Sequence, residues 1–436
     1  MAELETGRAE VRPGEVGQVT FSFRIKAIAV VLLAGFLLRL LLASLPGFEI
    51  DLGTFQAWSL QLADRGPWNF YDVGFFADYM PGYLYILWLI GGLNDLFQFD
   101  SGEFHYVLKL PAVFADLASA YLLYWILEGQ RPLLRLGAPA LYLLFPATLL
   151  IGPVWGQVDS LLVFFLLLCV YYLGRGRPVA GALAFTVGFL TKPQAVAALP
   201  FLAFWFVKHY PLRIVARAVA LSLAAGFLLI LPFFPDNPWA LLDRLVDAAN
   251  VENYRVTSFW AYNFWAVASD LFKPDNLEFL GLTYRLWSFL LFALAIVLVI
   301  FAFRRSEGTA MLALGSALSV LAFYLFLTRM HERYLFPFFP LFLVACAALN
   351  SRLLWGILVG LGLIHVFNLY YVYSYPLYNP NGPAVGFLFS WIEDRVFLFS
   401  LLTTLAFPLL LAAGGFLMKG KEDRLKGVHP EEQWLS

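Results

Sequence analysis

Long apolar runs recur along the whole chain, and short polar segments separate them. A helix needs roughly 20 apolar residues to cross a bilayer. The runs cover about 25–45, 81–97, 106–127, 136–152, 158–173, 178–207, 213–234, 284–303, 309–327, 335–350, 353–372 and 396–418. Run 178–207 has room for two short helices broken at Lys192-Pro193-Gln194, because proline removes a backbone donor. The pattern predicts an all-α, polytopic membrane protein with about 11–13 transmembrane helices.

Composition excludes several classes of protein. The chain has 436 residues, of which 61% are hydrophobic and 14% charged, whereas soluble domains have roughly 45–50% and about 25%. The apolar runs are far longer than the alternating strands of roughly ten residues in an outer-membrane barrel. A net charge of −1 without a basic block leaves no electrostatic footprint for nucleic acid. Both cysteines, Cys169 and Cys346, lie within apolar runs, which argues against a disulfide framework or a cysteine zinc site.

Lysine and arginine in short loops predict the orientation, since cytoplasmic loops carry an excess of both. Basic residues lie around 24–26, 175–177, 208–217, 304–305, 352 and 419–426, and we expect these segments to be cytoplasmic. The predicted non-cytoplasmic segments are then 46–80, 235–283, 328–334 and 373–395. One stretch conflicts, because residues 94–104 are acidic and 128–135 are basic. Either one early apolar run does not cross the membrane, or the rule fails locally.

The predicted external loop 46–80 combines acidic residues with a helical pattern. Its aspartates are Asp51, Asp64, Asp72 and Asp78. Within the loop, Leu52, Phe55 and Leu62, together with Trp58, recur at helical spacing. We therefore expect an amphipathic helix that lies in the membrane interface and has Asp51 at its start.

Polar groups interrupt the apolar runs at a few places. They are Arg39, Asp116, Gln157 with Asp159, Lys192 with Gln194, and His331-Glu332-Arg333. Ionisable groups at membrane depth are costly and usually face a cavity or a partner. The predicted topology brings most of them, with Asp51 and Asp78, to the same non-cytoplasmic side. Arg39 and Asp116 are instead expected to be a structural buried pair or interface anchors.

A carboxylate beside a cluster of cations at a membrane surface suits transfer from a lipid-phosphate donor. Lysine and arginine stabilise the negative charge of a departing phosphate. A carboxylate can accept the proton of an attacking hydroxyl. The sequence has no P-loop and no Gly-rich turn from a strand into a helix. The donor is therefore expected to arrive from the lipid phase.

Four motifs in this order resemble those of the membrane-embedded GT-C glycosyltransferases, which use polyprenyl-phosphate sugars. They are Asp51-Leu52-Gly53-Thr54-Phe55-Gln56-Ala57-Trp58 with Asp78-Tyr79-Met80-Pro81-Gly82-Tyr83, then Trp155-Gly156-Gln157-Val158-Asp159-Ser160, Thr191-Lys192-Pro193-Gln194 and Met330-His331-Glu332-Arg333-Tyr334. The set looks most similar to the dolichyl-phosphate-glucose glucosyltransferases and their bacterial relatives. It departs from them at Met80, where a proline is usual, and at Arg333, which replaces a lysine.

The resemblance implies a GT-C fold with interfacial helices in the first external loop. It covers a catalytic module at 25–350, with external loops 46–80 and 235–283, between a cytoplasmic tail 1–24 and generic helices 351–418 followed by a tail 419–436. It implies an inverting transfer of a hexose, mannose or glucose, from a polyprenyl-phosphate donor to a hydroxyl of a glycan, lipid or protein acceptor on the non-cytoplasmic face. The expected membrane is the plasma membrane in a prokaryote and the endoplasmic reticulum in a eukaryote.

The resemblance also implies roles for individual residues. Asp51 is the expected general base, and Lys192, His331 and Arg333 are expected to hold the donor phosphate. The full substrate-binding prediction is Asp78, Tyr79, Gln157, Asp159, Lys192, Gln194, His331, Glu332 and Arg333. The family analogy implies neither a metal nor a cofactor, and membrane lipids are the expected surroundings.

Simpler roles stay open for most of these residues. Asp51 could cap the interfacial helix, Asp78 could belong to a turn, and Lys192 could extend to the interface. Gln157 and Asp159 could hydrogen-bond between helices, and Glu332 could form a plain ion pair with Arg329 or Arg333. The aromatic stretch 259–265 is expected to be an interfacial belt, or else a stacking surface for a sugar or prenyl chain.

Two other functions compete at this stage. A secondary transporter or a flippase for lipid-linked sugars would also place charges in the membrane, but it would favour paired broken helices and repeats. The chain shows only one such break and no repeat. A scaffold subunit without catalysis would make the carboxylate of the first loop dispensable.

Overall fold

A computed structural model describes residues 13–71, 77–249, 255–380, 382–383 and 386–426. The described chain is almost entirely helical. Its helices are α1 (Pro13–Ala43), α2 (Glu49–Arg65), α3 (Pro81–Phe97), α4 (Ser101–Ile126), α5 (Pro132–Leu144), α6 (Pro146–Leu149), α7 (Asp159–Gly174), α8 (Pro178–Thr191), α9 (Leu199–His209), α10 (Leu212–Ile230), α11 (Ala240–Ala249), α12 (Trp265–Ala268), α13 (Tyr284–Phe303), α14 (Thr309–Phe326), α15 (Phe338–Leu349), α16 (Arg352–Tyr373), α17 (Phe387–Glu393) and α18 (Val396–Lys426). Four two-residue strands accompany them: β1 (Ser258–Phe259), β2 (Glu278–Phe279), β3 (Leu282–Thr283) and β4 (Met330–His331).

The helices make this a multi-pass membrane protein. Within the described residues, 8 helices are long and apolar enough to cross a bilayer, or 9 when the bent pair Pro132–Leu144 and Pro146–Trp155 counts as one span. The apolar helices α7 and α8 are shorter and are not included in this count. The number of spans counted by length is therefore below the predicted range of about 11–13, because short or broken helices do not meet the length requirement. Parts of the predicted tails 1–24 and 419–436, Asp72, and residues 250–254 of the predicted loop 235–283 lie outside the described residues.

The contacts of helix α3 bear on the conflict in the charge pattern. A Cβ atom at Gly91 would collide with the carbonyl of Ser59 on α2. Helix α4 then begins beside the end of α1, where Lys109 donates to the carbonyl of Ala43 at 3.0 Å. After α4, Glu128 pairs with Arg175 in a predicted cytoplasmic loop. These contacts favour the alternative in which the apolar run 81–97 does not cross, and in that arrangement the basic segment 128–135 follows the rule.

Helix α2 is the amphipathic helix that the first loop predicts. Leu52, Phe55, Trp58 and Leu62 are all buried, and they pack in a core shared with α3 and the start of α4. The helix begins at Glu49, two residues before Asp51. Because its apolar stripe is fixed against neighbouring helices, the first turn of α2 has a defined orientation at this end of the bundle.

The chain breaks at Lys192, as the proline predicts. Helix α8 ends at Thr191, Lys192 is extended with φ −149° and ψ 115°, and a 3₁₀ turn at Pro193–Ala198 leads into α9. Proline cannot donate to the helical ladder. The extended backbone places the side chain of Lys192 inside the protein, with 2% of its surface exposed.

A π-helical turn, Leu150–Trp155, ends the bent span that begins with α5. Gly156 follows it with φ 92°, a conformation that favours glycine. A Cβ atom there would also lie 2.6 Å from the Cδ2 atom of Leu52 on α2. The turn therefore packs tightly against α2, and it presents Trp155 and Gln157 on either side of this glycine.

The loop after α10 holds the segment around His331 in place. Strand β1 pairs in parallel with β4, and Phe259 is opposite His331. Asp275 binds the guanidinium of Arg329, with 2.6 Å between Oδ2 and Nε. These contacts connect residues that are more than fifty positions apart in the chain.

The aromatic stretch 259–265 lies inside the protein. Trp260, Tyr262 and Trp265 are buried, so the prediction of an interfacial belt is wrong for these rings. The indole of Trp265 donates to the carbonyl of Phe326 at 2.8 Å. The stretch is thus a packing element between the loop and the helices α14 and α16.

The prediction of a buried pair between Arg39 and Asp116 is confirmed. The Nε atom of Arg39 lies 2.9 Å from Oδ2 of Asp116, and both side chains are fully buried. Tyr142 donates to the other carboxylate oxygen at 2.8 Å. A charged pair with these hydrogen bonds ties α1, α4 and α5 together within the membrane.

Candidate active site

Asp51 lies in the first turn of α2 and receives two hydrogen bonds from the segment that follows the π turn. The indole Nε1 of Trp155 donates to its Oδ2 atom at 2.7 Å, and Nε2 of Gln157 donates to the same oxygen at 2.6 Å. The N-cap of α2 is Phe48, and no side chain from the described ranges caps the helix. The interpretation of Asp51 as a helix cap is therefore wrong. Among the described residues, no group donates a hydrogen bond to Oδ1.

Gln157 connects Asp51 with the break in the helix at Lys192. Its Oε1 atom accepts hydrogen bonds from the hydroxyl of Tyr79 at 3.1 Å and from Nζ of Lys192 at 3.4 Å. Its Nε2 atom faces the carboxylate of Asp51. The donors on one side and the acceptor on the other define the orientation of this buried amide.

Lys192 and Asp159 form a buried ion pair. Their Nζ and Oδ2 atoms are 2.8 Å apart, and both side chains are almost fully enclosed. Lys192 therefore does not extend to the interface, and that simpler interpretation is wrong. Asp159 begins α7, immediately after the segment that carries Gln157. Lys192 and Asp159 were predicted separately, and the fold brings them into contact.

His331, Glu332 and Arg333 follow strand β4 and enter a 3₁₀ turn. The guanidinium of Arg333 donates to Oε1 of Glu332 at 3.1 Å. Nδ1 of His331 lies 4.0 Å from the other oxygen of Glu332. Since Arg329 binds Asp275, Arg333 is the partner of Glu332. The Nε atom of Arg333 is buried and has no hydrogen-bond partner among the described residues.

His331 is held between aromatic rings close to the cations. The ring of Phe259 lies 4.7 Å from its imidazole, and that of Tyr334 lies 5.1 Å away. Burial lowers the pKa of His331 well below its ordinary value, and the charges of Arg333 and Lys192 lower it further. His331 is therefore a neutral imidazole at physiological pH, able to donate one hydrogen bond and accept another.

Asp78 and Tyr79 complete the site in front of α3. Burial raises the pKa of Asp78, and the neighbouring charge of Asp51 raises it as well, while Arg333 and Lys192 lower it. Tyr79 packs edge-on against Phe55 at 5.4 Å. This half-buried pair therefore faces both the carboxylate of α2 and the cations of the site.

Gln194 lies two residues after Lys192, beside Tyr334. Its Oε1 atom is buried and has no hydrogen-bond partner within the described part of the chain. Among the described residues, Oε1 of Gln194 is thus an available acceptor, and Nε of Arg333 is an available donor in the same region.

All ten predicted site residues thus come together at one end of the bundle. A chain of hydrogen bonds and ion pairs joins Asp51, Gln157, Lys192, Asp159 and Tyr79. Arg333 is coupled electrostatically to Asp51 and Asp159. Trp155 is the residue that the site prediction missed. Its signal was its place in the Trp155-Gly156-Gln157 motif, but an indole in an apolar sequence usually indicates packing.

The predicted absence of a metal stays a prediction. Over the described ranges, no group of three or more His, Cys, Asp or Glu side chains is arranged to hold a metal ion. The carboxylates of the site instead face lysine, arginine or amide groups. The arrangement can bind an anion beside a carboxylate that has one accessible oxygen.

Comparison with known proteins gives a result for the fold. No protein-family profile and no curated protein matches the chain. The chain is similar to the apo crystal structure of ArnT from Cupriavidus metallidurans, with a TM-score of 0.51 and 15% identity over 92% of this chain and 78% of that one. It also matches ArnT from the same organism bound to undecaprenyl phosphate, with a TM-score of 0.46 and 16% identity over the same shares. The protein has the polytopic GT-C membrane fold.

Proposed function

We propose that the protein is an inverting glycosyltransferase that moves a sugar from a polyprenyl-phosphate donor to an acceptor hydroxyl. The observation that carries this proposal is the state of the Asp51 carboxylate. Two donors hold its Oδ2 atom, and Oδ1 receives no hydrogen bond from any described residue. A general base needs this combination of a fixed position and an available lone pair.

A single displacement at the anomeric carbon accounts for the proton, for the bond that forms and for the bond that breaks. Oδ1 of Asp51 takes the proton of the acceptor hydroxyl as the oxygen attacks the anomeric carbon. The bond between that carbon and the phosphate oxygen breaks, and its electron pair leaves with the phosphate. Attack opposite to the leaving group inverts the configuration, so a β-linked donor gives an α-glycoside. A positioned base contributes typically 10²–10⁴-fold to such a step.

The cations of the site suit the departing phosphate. Lys192 and Arg333 carry the charge, and His331 adds a neutral donor. The Nε atom of Arg333, which has no partner in the described part of the chain, is one available hydrogen-bond donor. Fixed donors in a dry site stabilise developing charge far better than they do in water. Asp159 and Glu332 hold the two cations in position, which keeps this part of the site organised before the donor binds.

The membrane fold suits a donor that arrives from lipid. The proposed donor carries mannose or glucose, and the proposed acceptor is a glycan, a lipid or a protein on the non-cytoplasmic face. The proposed location is the plasma membrane in a prokaryote and the endoplasmic reticulum in a eukaryote. A prenyl chain would stay among the membrane lipids while its phosphate reaches Lys192, His331 and Arg333.

Transfer by the purified protein tests the proposal. Liposomes would contain polyprenyl-phosphate mannose or glucose with a panel of candidate acceptors, and the product would be separated by chromatography. Asp51→Asn should abolish transfer and leave donor binding intact. Asp64→Asn is the matched control, because Asp64 is on the same helix but is exposed beside Arg65. Wild-type transfer by Asp51→Asn would refute the mechanism. Movement of a lipid-linked sugar between leaflets without transfer would favour the flippase.

A further inference from the structure

We infer that Trp155 and Gln157 are positioning residues for Asp51, because they hold one carboxylate oxygen so that the other faces the acceptor. The inference rests on the proposed role of Asp51 as the base. It assigns Gln157, expected above to bind substrate, to the orientation of the base. It also gives Trp155 a role that its apolar surroundings do not suggest.

The indole of Trp155 is locked before it reaches Asp51. Its ring stacks on Phe48 with 4.5 Å between centroids and an angle of 22°. Tyr373 packs on it at 5.6 Å. The backbone N–H of Phe48 donates to the carbonyl of Trp155 at 2.9 Å. Since Phe48 is also the residue at the N-cap position of α2, the same contacts that fix the indole fix the start of the helix that carries Asp51.

The amide of Gln157 is held in place by contacts on the side that faces away from Asp51. Tyr79 and Lys192 both donate to its Oε1 atom, so the Nε2 atom must face Asp51. The side chain is 1% exposed, and turning it would place an oxygen against a carboxylate. The charge of Lys192 on one side and that of Asp51 on the other both favour the observed orientation.

Two donors on one oxygen control the rotation of the carboxylate. The terminal torsion of an aspartate is broad when nothing restrains it. Because an indole and an amide both hold Oδ2, the carboxylate cannot rotate freely, and Oδ1 points in one fixed direction. A base must lie within hydrogen-bond reach of the proton that it removes, so this direction decides the rate.

The first test is Trp155→Phe, which removes the N–H and keeps an aromatic ring for Phe48. We expect kcat to fall about tenfold to a hundredfold, with the KM for the donor unchanged. The acid limb of the kcat profile should move to higher pH, because the ionised carboxylate has lost a donor. Asp78, Lys192, Glu332 and Arg333 also face this region, and all of them remain in the variant.

The matched control is Trp265→Phe. Its indole also donates one hydrogen bond, to the carbonyl of Phe326 at 2.8 Å, and it is equally enclosed. A purely structural indole hydrogen bond would lower stability in both variants without moving the pH profile in either. We expect Trp265→Phe to keep the wild-type kcat profile.

Gln157→Glu gives an independent test if Trp155→Phe does not fold. The introduced carboxyl has nearly the same shape, but as a carboxylate it can only accept. Transfer should be nearly lost at neutral pH and recover in part at lower pH, where the protonated carboxyl can donate to Asp51. Recovery in this direction would not follow from a substrate contact alone.

The outcomes separate the two proposals. If Trp155→Phe and Gln157→Glu both keep the wild-type kcat and pH profile, the positioning inference is refuted and the base stands. If Asp51→Asn transfers normally, the proposed function fails, and the positioning inference fails with it. Loss of kcat in Trp155→Phe with an unmoved profile would also refute positioning, because it indicates a structural effect.

Discussion

Lys192 and Asp159 form an ion pair of 2.8 Å inside the protein, although they are 33 positions apart in the chain. Neither charge has access to water that could replace its partner. Removing one member of such a pair leaves an uncompensated buried charge, which typically costs about 3–5 kcal/mol. The pair is therefore a stability feature as well as part of the proposed phosphate site.

A double-mutant cycle separates the contribution of this pair to stability from its proposed part in phosphate binding. Asp159→Leu should lower the free energy of unfolding by about 3–5 kcal/mol, because it strands Lys192. Adding Lys192→Met should restore much of that loss, with a coupling of about 0.5–3 kcal/mol. Thermal unfolding in detergent measures both. The double variant should still fail to transfer sugar, whereas additive losses of stability would contradict the pairing.

Gly156 should resist substitution by alanine. At φ 92° an alanine is strained by about 1–3 kcal/mol, and its Cβ would press on the buried Leu52. The shift would move Trp155 and Gln157 away from Asp51. The rate of transfer should therefore fall by a larger factor than the lost free energy of unfolding alone would explain. Gly53→Ala on α2 is the control, because no atom of the described residues lies within 4 Å of a Cβ there. An active Gly156→Ala protein would show that the turn tolerates displacement.

Asp275 should affect donor binding from outside the site. Its carboxylate holds Arg329 at 2.6 Å, directly before the segment His331–Arg333. Asp275→Asn weakens this charge-assisted contact and loosens the segment. We expect the KM for the donor to rise several-fold, because only part of the Asp275–Arg329 contact is lost, while the pH profile of kcat stays in place. An unchanged KM would mean that the pairing of β1 with β4 alone holds the segment.

Asp78 should make stability depend on pH. Its pKa is raised in the folded protein, chiefly by burial, so its carboxyl binds a proton more readily there than in the unfolded chain. Its contribution to stability is present below the ordinary pKa of aspartate and is lost as the pH rises through the folded value. Asp78→Asn should therefore raise the unfolding temperature more at pH 8 than at pH 4. An equal gain at both pH values would contradict the raised pKa.

Apolar runs and motif order were sufficient for the fold class. A bilayer demands long apolar helices whatever their packing, so the membrane class and the break at Lys192 followed from composition and from one proline. The motifs also identified which polar residues belong together, because ionisable groups within apolar runs are too costly to be incidental. The amphipathic stripe of α2 followed from the spacing of Leu52 and Phe55.

Partners and directions depended on tertiary contacts. The position of α3 depends on the packing of Gly91 against Ser59, which local hydropathy does not contain. The sequence placed Asp51 at a helix start, where a cap is the ordinary role, and only the approach of Trp155 and Gln157 showed an oriented carboxylate. Hydrogen bonds and ion pairs between different elements of this site join residues 33 to 106 positions apart. Chemistry of the side chains is local, whereas their geometry comes from the whole bundle.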